Sequence, residues 1–144
     1  MEVRSESEFR FPILLRSCWF GLNKALRTRL RKLNLTTAQY TTLRSINENE
    51  GVSQNQLARF INSNKSNTGS IISRLIKMGL VRQQVSGNDR RVHQLFLTEY
   101  GNEVFSAAKV EALRLNNDIL EVINKDNETK LVDYLERITK SITG

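Results

Sequence analysis

The sequence predicts a mainly α-helical chain with one small β-hairpin, and three observations carry that expectation. Apolar residues recur at three- and four-residue spacing in five separate stretches, as one face of a helix requires. Residues 80–86 and 92–98 are instead short runs rich in Val, Leu and Phe around a glycine-containing loop, the pattern of a hairpin. Pro occurs once and Gly seven times in 144 residues, with no Gly/Ser or Pro-rich linker, so the chain reads as one compact unit.

Residues 9–33 form the first helix candidate. Leu14, Cys18, Leu22, Leu26 and Leu30 make a stripe at i+4 spacing, and Phe11, Leu15, Trp19 and Phe20 add apolar bulk on other faces. A helix apolar nearly all round is buried on more than one side. In a chain this short that points to a second subunit, with packing by the chain's own helices as the alternative. Cys18 sits on the stripe, where a thiol buried among apolar groups is inert. Arg27, Arg29, Arg31 and Lys32 make the second half a solvated one.

Thr36 with Gln39 has capping-box spacing and starts the second helix; Ser53 with Gln56 repeats it before Leu57, Ala58 and Ile61. Asn47 to Gly51 is a polar turn between them. A helix from Asn64 to Met78 carries Ile71, Ile72, Leu75 and Met78 toward the core and ends at Gly79, as a C-cap glycine should. The connection Asn62-Ser63-Asn64 is short and polar, and two short helices joined by about 3–4 residues form a helix-turn-helix. In the hairpin loop, Gly87 and Asn88 supply the turn's backbone angles, Asp89 fixes the loop by pairing with an arginine, and Arg90 and Arg91 make a basic tip. Thr98 caps a long helix to about Ile123, striped by Val104, Ala108, Ala112, Leu115, Ile119 and Val122. Asp126 begins the last helix, with Leu131, Leu135, Ile138 and Ile142 on one side.

Composition narrows the function. One Cys and one His exclude a disulfide framework and a four-cysteine metal site, and they leave no metal-ligand cluster. No cofactor is expected. The absence of a His/Cys/carboxylate cluster, a phosphate loop or a nucleophile elbow argues against an enzyme. No run approaches the ~18 apolar residues of a membrane span. The N-terminal MEVRSESEFRF does not read as a signal peptide, so a cytoplasmic location is expected. The 22 Lys and Arg against 15 Asp and Glu give +7, unevenly spread: residues 1–50 hold +4, 51–100 hold +5 and 101–144 hold −2. A basic middle on a neutral scaffold is the footprint of a nucleic-acid binder, with a solvated face lacking a partner as the alternative.

The order of elements suits double-stranded DNA. The second helix of the pair fits a major groove about 12 Å wide and reads base edges with its N-terminal residues. Asn64, Lys65, Ser66, Asn67, Ser70 and Arg74 are the candidate recognition set, with Ser73 and Lys77 also unclaimed by the core. Asn pairs bidentately with adenine, Ser reads either base loosely, and Lys or Arg suits guanine or phosphate. The short side chains of Ser66, Gly69 and Ser70 let the backbone approach closely. Asn88, Arg90 and Arg91 are the hairpin's candidates, since a narrow minor groove attracts arginine. Gly87 and Asp89 structure that loop.

The run from Leu35-Thr36-x-x-Gln39 to Leu57-Ala58, through Arg74-Leu75-x-x-x-Gly79-Leu80-Val81, then Asp89-Arg90-Arg91 and Leu97-Thr98-Glu99-x-Gly101, resembles the MarR family of transcription regulators. The resemblance implies a winged helix-turn-helix at 35–101, flanked by helical dimerisation regions at 1–34 and 102–144. It implies a homodimer on a pseudo-palindromic operator, usually a repressor relieved by a small ligand or oxidant, with Asp89-Arg90-Arg91 as the wing motif. The sequence departs from the family pattern at Ser63 and Thr68, where apolar residues are more common, and at Ser70, where a basic one is. Arg82 lies one position before the usual arginine. One branch of the family senses peroxide through a first-helix cysteine placed earlier than Cys18, nearer Pro12. Trp19, Phe20 and Tyr40 are candidates for an effector pocket, with plain core as the alternative; His93 reads as a surface or satisfied residue. The competing function is an architectural or protein-docking winged helix without operator specificity. The basic loop and the Asn/Ser/Lys helix face favour the regulator.

Overall fold

The computed structural model describes residues 2–61, 65–87 and 91–144; for residues 2–9 and 65 it describes the backbone alone. The order is α1 (Glu2–Leu30), a 3-10 turn (Arg31–Leu33), α2 (Thr37–Glu48), β1 (Val52–Ser53), α3 (Gln54–Phe60), α4 (Lys65–Lys77), β2 (Val81–Val85), β3 (His93–Leu97), α5 (Glu99–Leu120) and α6 (Lys125–Thr143). The chain forms two compact units, Met1–Glu111 and Ala112–Gly144.

Both capping boxes are formed. The Thr36 hydroxyl accepts from the Gln39 N–H at 3.0 Å, while the Gln39 side-chain oxygen accepts from the Thr36 N–H at 3.0 Å. Ser53 and Gln56 repeat the exchange at 3.2 and 3.0 Å. Each box satisfies two donors that a helix start otherwise leaves open. Leu30, Leu43, Ile46, Leu57, Ile72, Leu75, Leu80 and Leu95 are fully buried and form the core of the first unit. Each contributes on the order of 1.5–3 kcal/mol of transfer free energy.

The sheet has three strands in the order β1-β3-β2, antiparallel throughout. The hairpin is in register from Val81↔Leu97 to Val85↔His93. The sequence reading missed β1, a two-residue strand pairing Val52 with Leu95. Gly51 makes it possible: at φ 84° it turns the chain so that its N–H donates to the Leu95 carbonyl at 2.9 Å. Gly79 ends α4 at φ 78°, as expected of a C-cap.

Other expectations shift. The first helix begins at Glu2, not near residue 9, so Pro12 lies inside it. The segment before residue 9 is polar and carries no apolar period, so the pattern could not show it. The stripe Leu14, Cys18, Leu22, Leu26 and Leu30 is not a core stripe of the chain itself: Leu30 is buried, while Leu14, Leu22 and Cys18 are exposed. Burial therefore does not explain an inert Cys18. Gly87 does not adopt a positive φ; among the described residues the left-handed glycines are Gly51 and Gly79. The long helix ends at Leu120 and the last begins at Lys125, after Asn124.

Candidate nucleic-acid interface

The α3–α4 pair is a helix-turn-helix held from beneath. Leu57 and Ala58 on α3 and Thr68, Ile72 and Leu75 on α4 are buried. Thr68, polar where the family is more often apolar, still belongs to this buried side at zero exposure. At about 100° per residue, the direction opposite Thr68, Ile72 and Leu75 is taken by Ser66, Ser70, Ser73 and Lys77. All four are exposed. Ser73 and Lys77 thus belong to the outward row as fully as Ser66 and Ser70, which helical geometry alone could have shown. The Ser70 hydroxyl donates back to the Ser66 carbonyl at 3.3 Å.

The remaining reader candidates lie on the flanks. Asn67 is exposed on the side of α4 toward α1 and α2, Gly69 is on the other side, and Arg74 is exposed between Asn67 and the outward row. Gly69 faces α3: a Cβ there would come within 2.9 Å of the Gln54 side-chain nitrogen. Its missing side chain leaves room for the end of the Gln54 side chain at the start of α3. Gln54 carries no motif that would have flagged it. Asn64 lies outside the described residues, and of Lys65 only its place in the first turn of α4 is described.

In the hairpin, Asn88, Asp89 and Arg90 lie outside the described residues. Gly87 and Arg91 are exposed where the loop leaves β2 and approaches β3. Arg82 occupies the exposed face of β2. Its guanidinium sits 4.4 Å above the Phe96 ring, and its Nη1 donates to Gln84 Oε1 at 3.3 Å. His93 is exposed at the start of β3.

The three aromatic candidates do not share a pocket. Trp19 and Tyr40 line one cleft of about 520 Å³ between α1, α2 and the start of α4, together with Arg44, Ile61, Asn67 and Ile71. Phe20 points to a separate shallow hollow with Ile13 and Arg16. The reason is helical: consecutive positions on α1 diverge by about 100°. Trp19 is 64% exposed, whereas Tyr40 is 7% exposed and stacks on Phe105 with ring centroids 5.9 Å apart. Tyr40 is thus both core and cleft wall. Its phenol pKa lies above the ordinary 10.0, chiefly because burial disfavours the phenolate; Glu48 raises it further and Arg44 opposes the rise. Arg44 also faces Glu48 at 4.0 Å in an exposed pair, which contributes little.

Among the described residues, no group of three or more His, Cys, Asp or Glu side chains is placed to hold a metal ion. No described helix is long and apolar enough to cross a membrane.

Comparison with known proteins places this geometry. The sequence model of the MarR family matches residues 33–92. The transcriptional regulator HosA of Escherichia coli O157:H7 is 31% identical over 105 residues, covering 73% of this chain and 78% of that protein. The transcriptional repressor MprA of Escherichia coli K12 is 27% identical over 151 residues, covering 99% of this chain and 84% of that protein. Among solved structures, the transcriptional repressor CouR bound to a 23-mer DNA duplex superposes with a TM-score of 0.87 at 25% identity, covering 93% of this chain and 95% of that one.

Proposed function

This chain belongs to the MarR family of DNA-binding transcription regulators, and from that premise we propose a ligand-relieved repressor that holds a pseudo-palindromic operator as a homodimer. The observation that carries the reading is the outward row of α4. Four small or cationic polar residues stand opposite a fully buried side, beside a hairpin with a basic loop. The resemblance to the repressor MprA and to DNA-bound CouR supports it. On this reading Asn64, Lys65, Ser66, Asn67, Ser70 and Arg74, joined by Ser73 and Lys77, face the major groove. Asn88, Arg90 and Arg91 take the minor groove, with Gly87 and Asp89 shaping the loop.

Residues 35–101 form the DNA-binding lobe, and 1–34 with 102–144 the dimerisation region. Each compact unit supports this separately. On α1, Phe11, Ile13, Leu14 and Phe20 stand exposed, and on α6 Leu131, Val132, Tyr134 and Ile142 do. Apolar surface on this scale marks a protein contact, and a second copy of the chain supplies it. The reading assigns no catalytic step, and it places the protein in the cytoplasm with the DNA. The cleft lined by Trp19 and Tyr40 is the seat we assign to a small effector: an aromatic wall, a few amide and hydroxyl groups, and one guanidinium suit a small amphipathic molecule.

The test is the salt dependence of DNA affinity for the intact chain and for R90A/R91A. Each phosphate neutralised adds about 0.9 to the slope of log affinity against log salt. The double variant should bind more weakly with a flatter slope. An unchanged slope would remove the hairpin from the interface and favour the architectural alternative.

A further inference from the structure

We infer that Asn67 is shared between the DNA-reading side of α4 and the cleft beside α1 and α2, so that an occupant of the cleft withdraws Asn67 from the base it reads. The inference deepens the effector reading above and rests on it.

Three observations carry it. Asn67 is exposed in the first turn of α4, the end of a reader helix that enters a groove. It also lines the cleft, together with Trp19, Tyr40, Ile61 and Ile71. Its helical angle explains both: it stands about 90° from the buried centre of α4, neither inward like Thr68 nor outward like Ser66. The outward residues Ser66, Ser70, Ser73 and Lys77 do not line this cleft, so the sharing is particular to the flank.

The chemistry makes the two roles exclusive. A carboxamide has one acceptor oxygen and one donor NH₂ group. A bidentate contact with adenine uses both at once, in one plane. An occupant held between Trp19 and Tyr40 that engages the same amide, or that turns it through its two side-chain torsions, removes that contact. The consequence is selective. Affinity falls by the worth of one bidentate contact, about 5-fold to 150-fold, and discrimination is lost at one base pair per half-site. Contacts made by the outward row and by the hairpin remain.

The test needs no knowledge of the natural effector. In a full-length Cys18→Ser background, Thr41→Cys is labelled with benzyl methanethiosulfonate, which releases methanesulfinate and leaves a benzylthio group, disulfide-linked, in the cleft that Thr41 lines. DNA affinity is then measured for the preferred sequence and for single-base substitutions of it, with and without the label, and again in Asn67→Ala. Unlabelled protein should discriminate at the base that N67A ceases to read. Labelled protein should lose that discrimination, and labelling should cost N67A nothing further. Thr37→Cys, on the same wall, carries the label if Thr41→Cys does not fold. Equal losses on labelling with and without Asn67, full discrimination after labelling, or an N67A variant that discriminates like the parent would each overturn the inference. A failure of the effector reading looks different: no small molecule binds the unlabelled cleft, while the effect of the tethered group stands.

Discussion

Arg82 stands one position earlier than the arginine usual in the family, and a strand converts that single step into the opposite face. Val81 takes the buried side and Arg82 the exposed one, over Phe96. The departure was visible in the sequence; its consequence was not, because it depends on which residue of β3 lies across the register. Tyr40 illustrates the same limit. Its residue type allowed either core or pocket, and only the fold shows it serving both. Burial favours its neutral phenol, so the folded state holds that proton above the ordinary 10.0. A raised pKa stabilises the fold fully below the unfolded value, and that contribution is lost as pH rises through the folded one. Unfolding measured across the alkaline range should therefore show wild type losing stability above pH 10 more steeply than Tyr40→Phe; parallel curves would mean that Tyr40 is not held neutral by the fold.

Element boundaries follow local chemistry wherever that chemistry is local. The capping boxes at Thr36 and Ser53, the stop at Gly79 and the start at Thr98 were all legible. Strand β1 was not, since Val52 becomes a strand residue only through Leu95, more than forty positions away. The junction after β3 shows how tightly such points are built. The Thr98 hydroxyl donates to the Gly79 carbonyl at 2.6 Å and accepts from the Gly101 N–H at 2.9 Å, while the Thr98 N–H donates to the Leu80 carbonyl at 3.0 Å. One side chain thus ties the end of α4 to the start of α5. A Cβ at Gly101 would collide with the Leu80 carbonyl, which is backbone and cannot swing aside. Thr98→Ala should lower unfolding free energy by about 1–2 kcal/mol through the lost cap. Gly101→Ala should cost more, about 2–4 kcal/mol, despite alanine's better helix propensity. Chemical denaturation of both variants checks the order; a Gly101→Ala protein as stable as wild type would contradict the close approach.

At the scale of the whole molecule, the charge of +7 acquires a place. The +5 of residues 51–100 falls on the helix-turn-helix and the hairpin, while residues 101–144 carry −2 and form α6 and most of α5. Cys18, Leu14 and Leu22 gain meaning only here. Their i+4 spacing showed the helix correctly, yet the chain by itself leaves them exposed, as the proposed dimer requires. Apolar periodicity located α4, but not that Asn67 lines the cleft or that Gly69 lies against Gln54 of α3, because these follow from how α4 is rolled against its neighbours. Whether the protein is a two-fold reader of a specific operator is settled by selecting bound fragments from random double-stranded DNA. Selection should enrich an inverted repeat whose half-sites are centred one helical turn apart, roughly 10 base pairs. Recovery of fragments with no enriched sequence, or of a single unrepeated site, would contradict it.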